Sequence, residues 1–235
     1  MKEIITLFIV LWLHIFSNTS WAQTCFSSSL CNNINYLCIK IASNDTWETL
    51  FPDPHDRDLV QRINRMNIAL QQGMQIAVPK NLEKLDLYKI SPFPLQISAD
   101  GTKIIYISQK KLAWGAYDGV GKLVRWGPIS SGMASCADDA CLTPVGVFNV
   151  MSKQDEYCVS TTFPKRLNAD NGGAKMPFCM YFFHGYALHG SHHVPGYPAS
   201  HGCVRLFVED ARWLNESFVD LPGGGVQGTL VVLDF

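Results

Sequence analysis

Charge is sparse in this 235-residue sequence, and neither sign dominates: 19 Lys and Arg stand against 20 Asp and Glu, and charged residues make up 17% of the chain. No long basic run occurs, so the electrostatic footprint of a nucleic-acid binder is missing. After the first 16 residues no apolar run approaches the roughly 20 residues that cross a bilayer. Metal-ligand spacing is absent too: no C-x2-C pair is found beside a second one, and H-E-x-x-H does not occur. There is no internal repeat. What is present, 47% hydrophobic residues, argues against wholesale disorder. The length allows one large domain or two small ones.

The start of the chain reads as an export signal. Lys2 precedes an apolar stretch from Ile4 to Phe16, and Ser20 and Ala22 supply small residues at a polar exit. This core is too short to span a membrane and fits a cleavable secretory segment over residues 1–22. The expected mature chain begins at Gln23, is exported to the periplasm or cell wall, and keeps no stable membrane span.

Export changes the reading of the 8 cysteines, because thiols in an oxidising compartment mostly pair. Cys25, Cys31 and Cys38 cluster near the mature start. Proximity suggests Cys136–Cys141 and Cys158–Cys179. Cys203 stands apart, and without it the other seven cannot all pair within one chain.

The mature sequence divides in two. Tyr36 to Lys80 reads as strand, helix, helix, strand. Asn44 or Asp45 is expected to cap a short helix bearing Trp47 and Leu50. Asp56 or Asp58 is expected to cap a second, with Leu59, Ile63 and Met66 at helical spacing. Gly73 turns the chain into a strand from Gln75 to Val78, stopped by Pro79. Residues 81–94, punctuated by Pro92 and Pro94, read as linker and lead-in strand. Beyond them β signals crowd at Lys103–Ser108, Lys111–Tyr117, Leu123–Trp126, Val145–Met151 and Thr229–Leu233, with one helix at about Val208–Phe218. The expected fold is mainly β, a sandwich-like domain preceded by a small α+β (βααβ) domain.

Chemistry concentrates in fifteen residues, His189-Gly-Ser-His-His-Val-Pro-Gly-Tyr-Pro-Ala-Ser-His-Gly-Cys203, which hold four of the seven histidines and the odd cysteine. A free thiol of pKa roughly 8.5 is mostly protonated at neutral pH. An imidazole within reach can take that proton and later return it to a leaving amine. The flanking glycines suit close backbone approach, so that amide N–H groups can line an oxyanion hole.

Tyr186-Ala-Leu-His-Gly190 and Pro195-Gly-Tyr-Pro-Ala-Ser-His-Gly-Cys-Val-Arg-Leu206 resemble the signature of the L,D-transpeptidase catalytic domain, the YkuD family. Further matches lie at Gly127–Gly132, Thr143–Phe148, Met176–Phe178 and Glu209–Leu214, which places that domain at residues 95–235. Carried over by position, the resemblance implies Cys203 as nucleophile and His189 as general base and acid. A main-chain carbonyl near Gly190 or Ser191 would orient the imidazole, and the N–H groups of His201, Gly202 and Cys203 would hold the oxyanion. Ser200 would shape the site. Arg205 would meet a peptide carboxylate or brace the loop, with Tyr197 and Met176 beside the substrate. His184, His192 and His193 read as solvated or packed loop histidines. Residues 23–80 resemble a LysM peptidoglycan-binding module through Asn44–Leu50, Ile63–Asn67 and Leu70–Pro79.

The implied reaction is attack on a peptidoglycan tetrapeptide stem, release of D-alanine and transfer of the acyl group from a thioester. The acceptor is an amine of a second stem, giving a 3→3 cross-link, or a wall-attached protein; water would give L,D-carboxypeptidase activity. No metal or organic cofactor is implied. Three rivals differ in class: a zinc enzyme, a wall-binding protein with little catalysis, and a papain-like peptidase, in which the cysteine would precede the histidine.

Overall fold

The computed structural model describes residues 25–134, 136, 141–161, 173–225 and 227–235. The expected export segment 1–22 lies outside them. A short helix α1 (Phe26–Leu30) opens the described chain. Then come β1 (Tyr36–Lys40), α2 (Trp47–Leu50), α3 (Pro54–Asn64) and β2 (Gln75–Pro79). Strands β1 and β2 pair antiparallel, Cys38 facing Ala77, and the unit closes a small core of Ile41, Trp47, Phe51, Val60, Met66, Ile76 and Val78.

Both helix starts differ from expectation. Thr46 caps α2 through a reciprocal box with Thr49, while Asp45 instead accepts from Ala42 N–H at 2.7 Å. Asp53 caps α3, accepting from the His55 and Asp56 amides, with Pro54 just inside the first turn. A proline there loses no helical hydrogen bond and presets φ, so the helix starts earlier than Asp56 or Asp58 would have allowed.

Residues 82–84 form a 3-10 turn. The lead-in strand expected between 81 and 94 does not form: Leu87, Ile90 and Phe93 pack apolar side chains against Trp126 and Tyr117 without joining a ladder. Among the described residues, the strands that follow form one nine-stranded sheet. Its strands are β3 (Ile104–Ser108), β4 (Ala113–Tyr117), β5 (Leu123–Ser130), β6 (Gly146–Asn149), β7 (Ser152–Lys153), β8 (Met180–Phe183), β9 (Tyr186–Gly190), β10 (Val204–Leu206) and β11 (Leu230–Asp234). Their spatial order is β6-β11-β3-β4-β5-β10-β9-β8-β7. The sheet curls until β6 meets β8, with the Phe148 and Phe182 rings 5.5 Å apart. The main core is enclosed between the two halves, around Ile105, Trp114, Met180, Leu188, Val204 and Leu206. The mainly β expectation holds; the sandwich is a single sheet folded over.

Helix α4 (Val208–Trp213) follows β10 and passes into a π-helical turn from Leu214 to Phe218. On it, Asp210 is wholly buried and receives two guanidinium groups. Arg62 of α3 reaches its carboxylate at 2.9 and 3.0 Å, and Arg125 of β5 reaches it at 2.8 and 3.1 Å. Gly127 makes room for this junction, since a Cβ there would lie 2.2 Å from Asp210 Oδ2. The βααβ unit is thus pinned to the large sheet by a buried ion cluster. Among the described residues no helix is long and apolar enough to cross a membrane.

Candidate functional site

Period-two alternation decides which face the site occupies. Strands β9 and β10 run parallel with Leu188 opposite Val204 and His189 opposite Arg205. Leu188, Val204 and Leu206 point into the main core. His189, Arg205 and, one step further along, Cys203 therefore project from the other face. There a second apolar cluster of Cys158, Met176, Cys179 and Ala187 packs against Tyr181 and Cys203. A disulfide joins Cys158 to Cys179 and ties the covering segment to the lead into β8.

Cys203 and His189 line one cavity of about 240 Å³, together with Met176, Ser191, Ser200, His201 and Arg205. Seven of the ten predicted site residues are thus brought together. Of the others, Gly190 supplies the carbonyl 3.0 Å from His189 Nδ1, which fixes Nδ1 as the protonated nitrogen and leaves Nε2 as the basic one. Gly202 sits in the turn before β10 at φ +119°, a backbone setting that favours glycine. Its N–H donates to Ser200 Oγ at 3.0 Å, so this amide is engaged within the turn. Tyr197 lies outside the cavity walls, its carbonyl accepting from Ser130 Oγ at 2.8 Å. His193, read as a loop residue, is one of the walls. His192 and His184 are exposed.

Burial sets the protonation states. His189 is 6% exposed; desolvation lowers its pKa to about 4, and the charge on Arg205 adds to the effect, while the Gly190 hydrogen bond opposes both. Burial also raises the Cys203 thiol, although a hydrogen bond from the Ala187 main chain and the Arg205 charge act the other way. The resting pair at neutral pH is therefore neutral imidazole and neutral thiol. The thiol donates weakly to the Gly185 carbonyl at 3.9 Å. Arg205 reaches the His193 carbonyl at 3.4 Å and, among the described residues, forms no ion pair with a carboxylate. Also among the described residues, no group of three or more His, Cys, Asp or Glu is placed to hold a metal ion.

The loop carrying Cys203 is built on residues whose roles a linear reading did not reveal. Ser131 O accepts from the Ala199 and Ser200 amides, and Met133 N–H donates to Ser200 O. Thr143 Oγ1 donates to Gly202 O at 2.8 Å and accepts from Gly132 N–H at the same distance. The βααβ unit reaches the site as well. Asn67 Nδ2 donates to Ser191 O at 2.8 Å and its Oδ1 accepts from Val194 N–H at 2.9 Å, while Asn67 N–H donates to Val194 O at 2.9 Å. Nothing in the spacing between 67 and 191 hints at this clamp.

Six cysteines pair as Cys31–Cys38, Cys136–Cys141 and Cys158–Cys179. Both pairings expected from proximity form, and Cys25 and Cys203 stay free.

A curled, mainly β domain that presents a thiol and an imidazole on one face of two parallel strands is a narrow structural class. The sequence model of the L,D-transpeptidase catalytic domain, YkuD, matches residues 102–232. The chain belongs to that family. Among solved structures, an L,D-transpeptidase from Xylanimonas cellulosilytica is 27% identical with a TM-score of 0.52, covering 75% of this chain and 78% of its own. One from Stackebrandtia nassauensis is 20% identical with a TM-score of 0.47, covering 62% and 61%. No curated protein matches.

Proposed function

We propose that this chain is a cysteine-dependent L,D-transpeptidase of peptidoglycan stems. The observation that carries the reading is the shared cavity of Cys203 and His189, with Nδ1 of the imidazole held by the Gly190 carbonyl. Cys203 Sγ attacks the carbonyl before the terminal D-alanine of a tetrapeptide stem. Its proton passes to His189 Nε2, and the oxyanion is held by the Cys203 N–H and a neighbouring main-chain donor. Collapse breaks the amide bond, His189 returns the proton to the departing amine, and D-alanine leaves. An amine of a second stem then attacks the thioester, gives its proton to His189 and expels the thiolate, which the imidazolium reprotonates. Arg205, free of a carboxylate among the described residues, suits a carboxylate of the peptide, and Met176 walls the acyl side. Three disulfides suit an oxidising compartment, in keeping with export to the periplasm or cell wall. Residues 23–80 act with the catalytic domain at 95–235, and as a LysM-like module they would bring it to glycan.

Masses of the products formed from purified muropeptides test the reading: cross-linked dimers support transfer, whereas trimmed tripeptides alone would make water the acceptor. A pH profile checks the base. Because the His189 pKa is lowered to about 4, the imidazole stays neutral and basic well below pH 6. The acid limb of kcat/KM is expected near pH 4, and a limb near 6.5 would contradict a buried base. The same depression makes the unfolded chain bind more protons, so stability is expected to fall as pH drops from 6.5 through about 4. Asn67→Ala, which leaves the Ser191 and Val194 main chain unpaired, is expected to lower kcat by about 10- to 100-fold with a smaller change in KM. Asn67→Asp, which keeps the acceptor for Val194, is expected to retain part of the rate.

A further inference from the structure

A second cavity lies away from Cys203, between α1, the first residues of β1, the last residues of β2 and the segment leading to the large sheet. Its volume is about 620 Å³, within the range of small-molecule sites. Phe26, Leu30 and Leu85 give it apolar walls. Arg65, Lys80 and Lys89 bring three cations, Asn35, Tyr36 and Asn81 bring neutral polar groups, and no aspartate or glutamate lines it.

Arg65 is the anomaly. It is 5% exposed, yet among the described residues it has no carboxylate partner, although buried arginines usually do. Its neighbour Arg62 has both Asp210 and Asp58. Arg65 is held by other means: Nε donates to Lys111 O at 3.0 Å, Nη1 donates to Arg62 O, and the guanidinium lies 4.7 Å from the Phe26 ring centre and 5.0 Å from that of Trp126. These contacts fix the plane, and among the described residues the Nη2 donors have no acceptor. Its backbone is left-handed at φ 58°, a conformation uncommon for a long side chain. Burial pushes its pKa down and the Arg62 charge adds to this, against a raising influence of Tyr36; a bound anion would reverse the trend. Lys80 makes no ion pair among the described residues, and Lys89, on the exposed surface, pairs with Asp86 at 3.5 Å and donates to the Lys84 carbonyl at 2.8 Å.

We infer that this cavity is a binding site for an organic carboxylate with a partly apolar body, its carboxylate held by Arg65 and Lys80 with Lys89 at the mouth. The reading of the chain as a wall enzyme serves only to select the probes. A carboxylate of this kind is offered by a sugar acid or by an acylated amino acid. The test is a two-dimensional NMR titration of the mature Cys203→Ala protein, followed at the side-chain amides of Asn35 and Asn81. The probes are N-acetylmuramic acid, N-acetyl-D-alanine and, as the neutral control, N-acetylglucosamine.

One or both acids are expected to shift those amides with saturation, and the neutral sugar is expected not to; which acid binds identifies the source. Lys80→Ala/Lys89→Ala, at sites that carry no core packing, is expected to weaken binding about tenfold. Arg65→Lys, which loses the planar fork, is expected to weaken it at least as much. Absence of saturable shifts with both acids would overturn the inference, as would equal binding of the neutral sugar or unchanged affinity in the double lysine variant. Binding is read without turnover, so a null result leaves acyl transfer standing, and a failure of acyl transfer leaves this site standing.

Discussion

Cys203→Ala is expected to lose stem-peptide turnover by on the order of 10⁴-fold or more, with the fold intact. The loss follows from the covalent route: without sulfur no thioester forms, and residual rate comes only from binding and oxyanion stabilisation. The substitution removes one heavy atom from a half-buried position at the rim of the Met176–Cys179 cluster, so melting is expected to change little. His189→Ala should come close to the same loss, because a thiol raised by burial gives few thiolates without a base. The two losses should not add, since the residues act as a unit. Turnover retained by the Cys203→Ala protein would remove the nucleophile from the account, and normal acylation in the His189→Ala protein would move the base elsewhere on the cavity wall.

The largest effect on stability is expected at Asp210. Its carboxylate is wholly buried and pairs with both Arg62, itself 4% exposed, and Arg125. Asp210→Ala leaves the buried Arg62 guanidinium with only the half-exposed Asp58 carboxylate and takes from Arg125 its carboxylate partner, at up to about 3–5 kcal/mol, which for a chain of this size lowers Tm by on the order of 10 °C. Asp210→Ala/Arg62→Met is expected to recover part of that loss, because the charge is removed along with its partner. Urea unfolding checks both. A loss below about 1 kcal/mol in the single variant would show that the cluster is well hydrated. Because Arg62 belongs to α3 and Asp210 to α4, the same variant should loosen the βααβ unit from the catalytic sheet and disturb Asn67, whose clamp on Ser191 and Val194 depends on that seat.

Local patterns were readable where one residue's neighbours decide its conformation. β3 and β11 are rich in β-branched residues and β4 carries two aromatics, and all three appear within a residue or two of expectation. The helix at 208–218 was readable as well, although its second half relaxes into a π turn. The strands that carry the chemistry were not. β8, β9 and β10 are short, β8 and β9 are joined by a turn at His184 and Gly185, and β10 has only three residues; they are held by neighbours on both sides, β10 lying between β5 and β9. Propensity says little about such strands. The helix caps were misplaced for a related reason: several Asp, Asn and Thr residues compete at each start, and Pro54 and the Thr46–Thr49 pair settle the matter.

The site divides the same way. The string from His189 to Cys203 and the family match it carries were legible, as was the carbonyl support at Gly190. Thr143, Ser131 and Asn67 reach the loop through the fold, and Arg62 meets Asp210 across 148 positions of sequence. Long-range contacts of this kind have no local signal. The engagement of the Gly202 amide by Ser200 is a detail of one turn that only the geometry shows.

Intact mass of the protein mixed with a purified tetrapeptide stem, quenched in acid and mapped by proteolysis, tests the central claim most directly. The account predicts a gain equal to the stem minus D-alanine, carried on the peptide containing Cys203, labile to hydroxylamine and absent from Cys203→Ala. An adduct on another residue, or turnover with no adduct on Cys203 at any quench time, would contradict it.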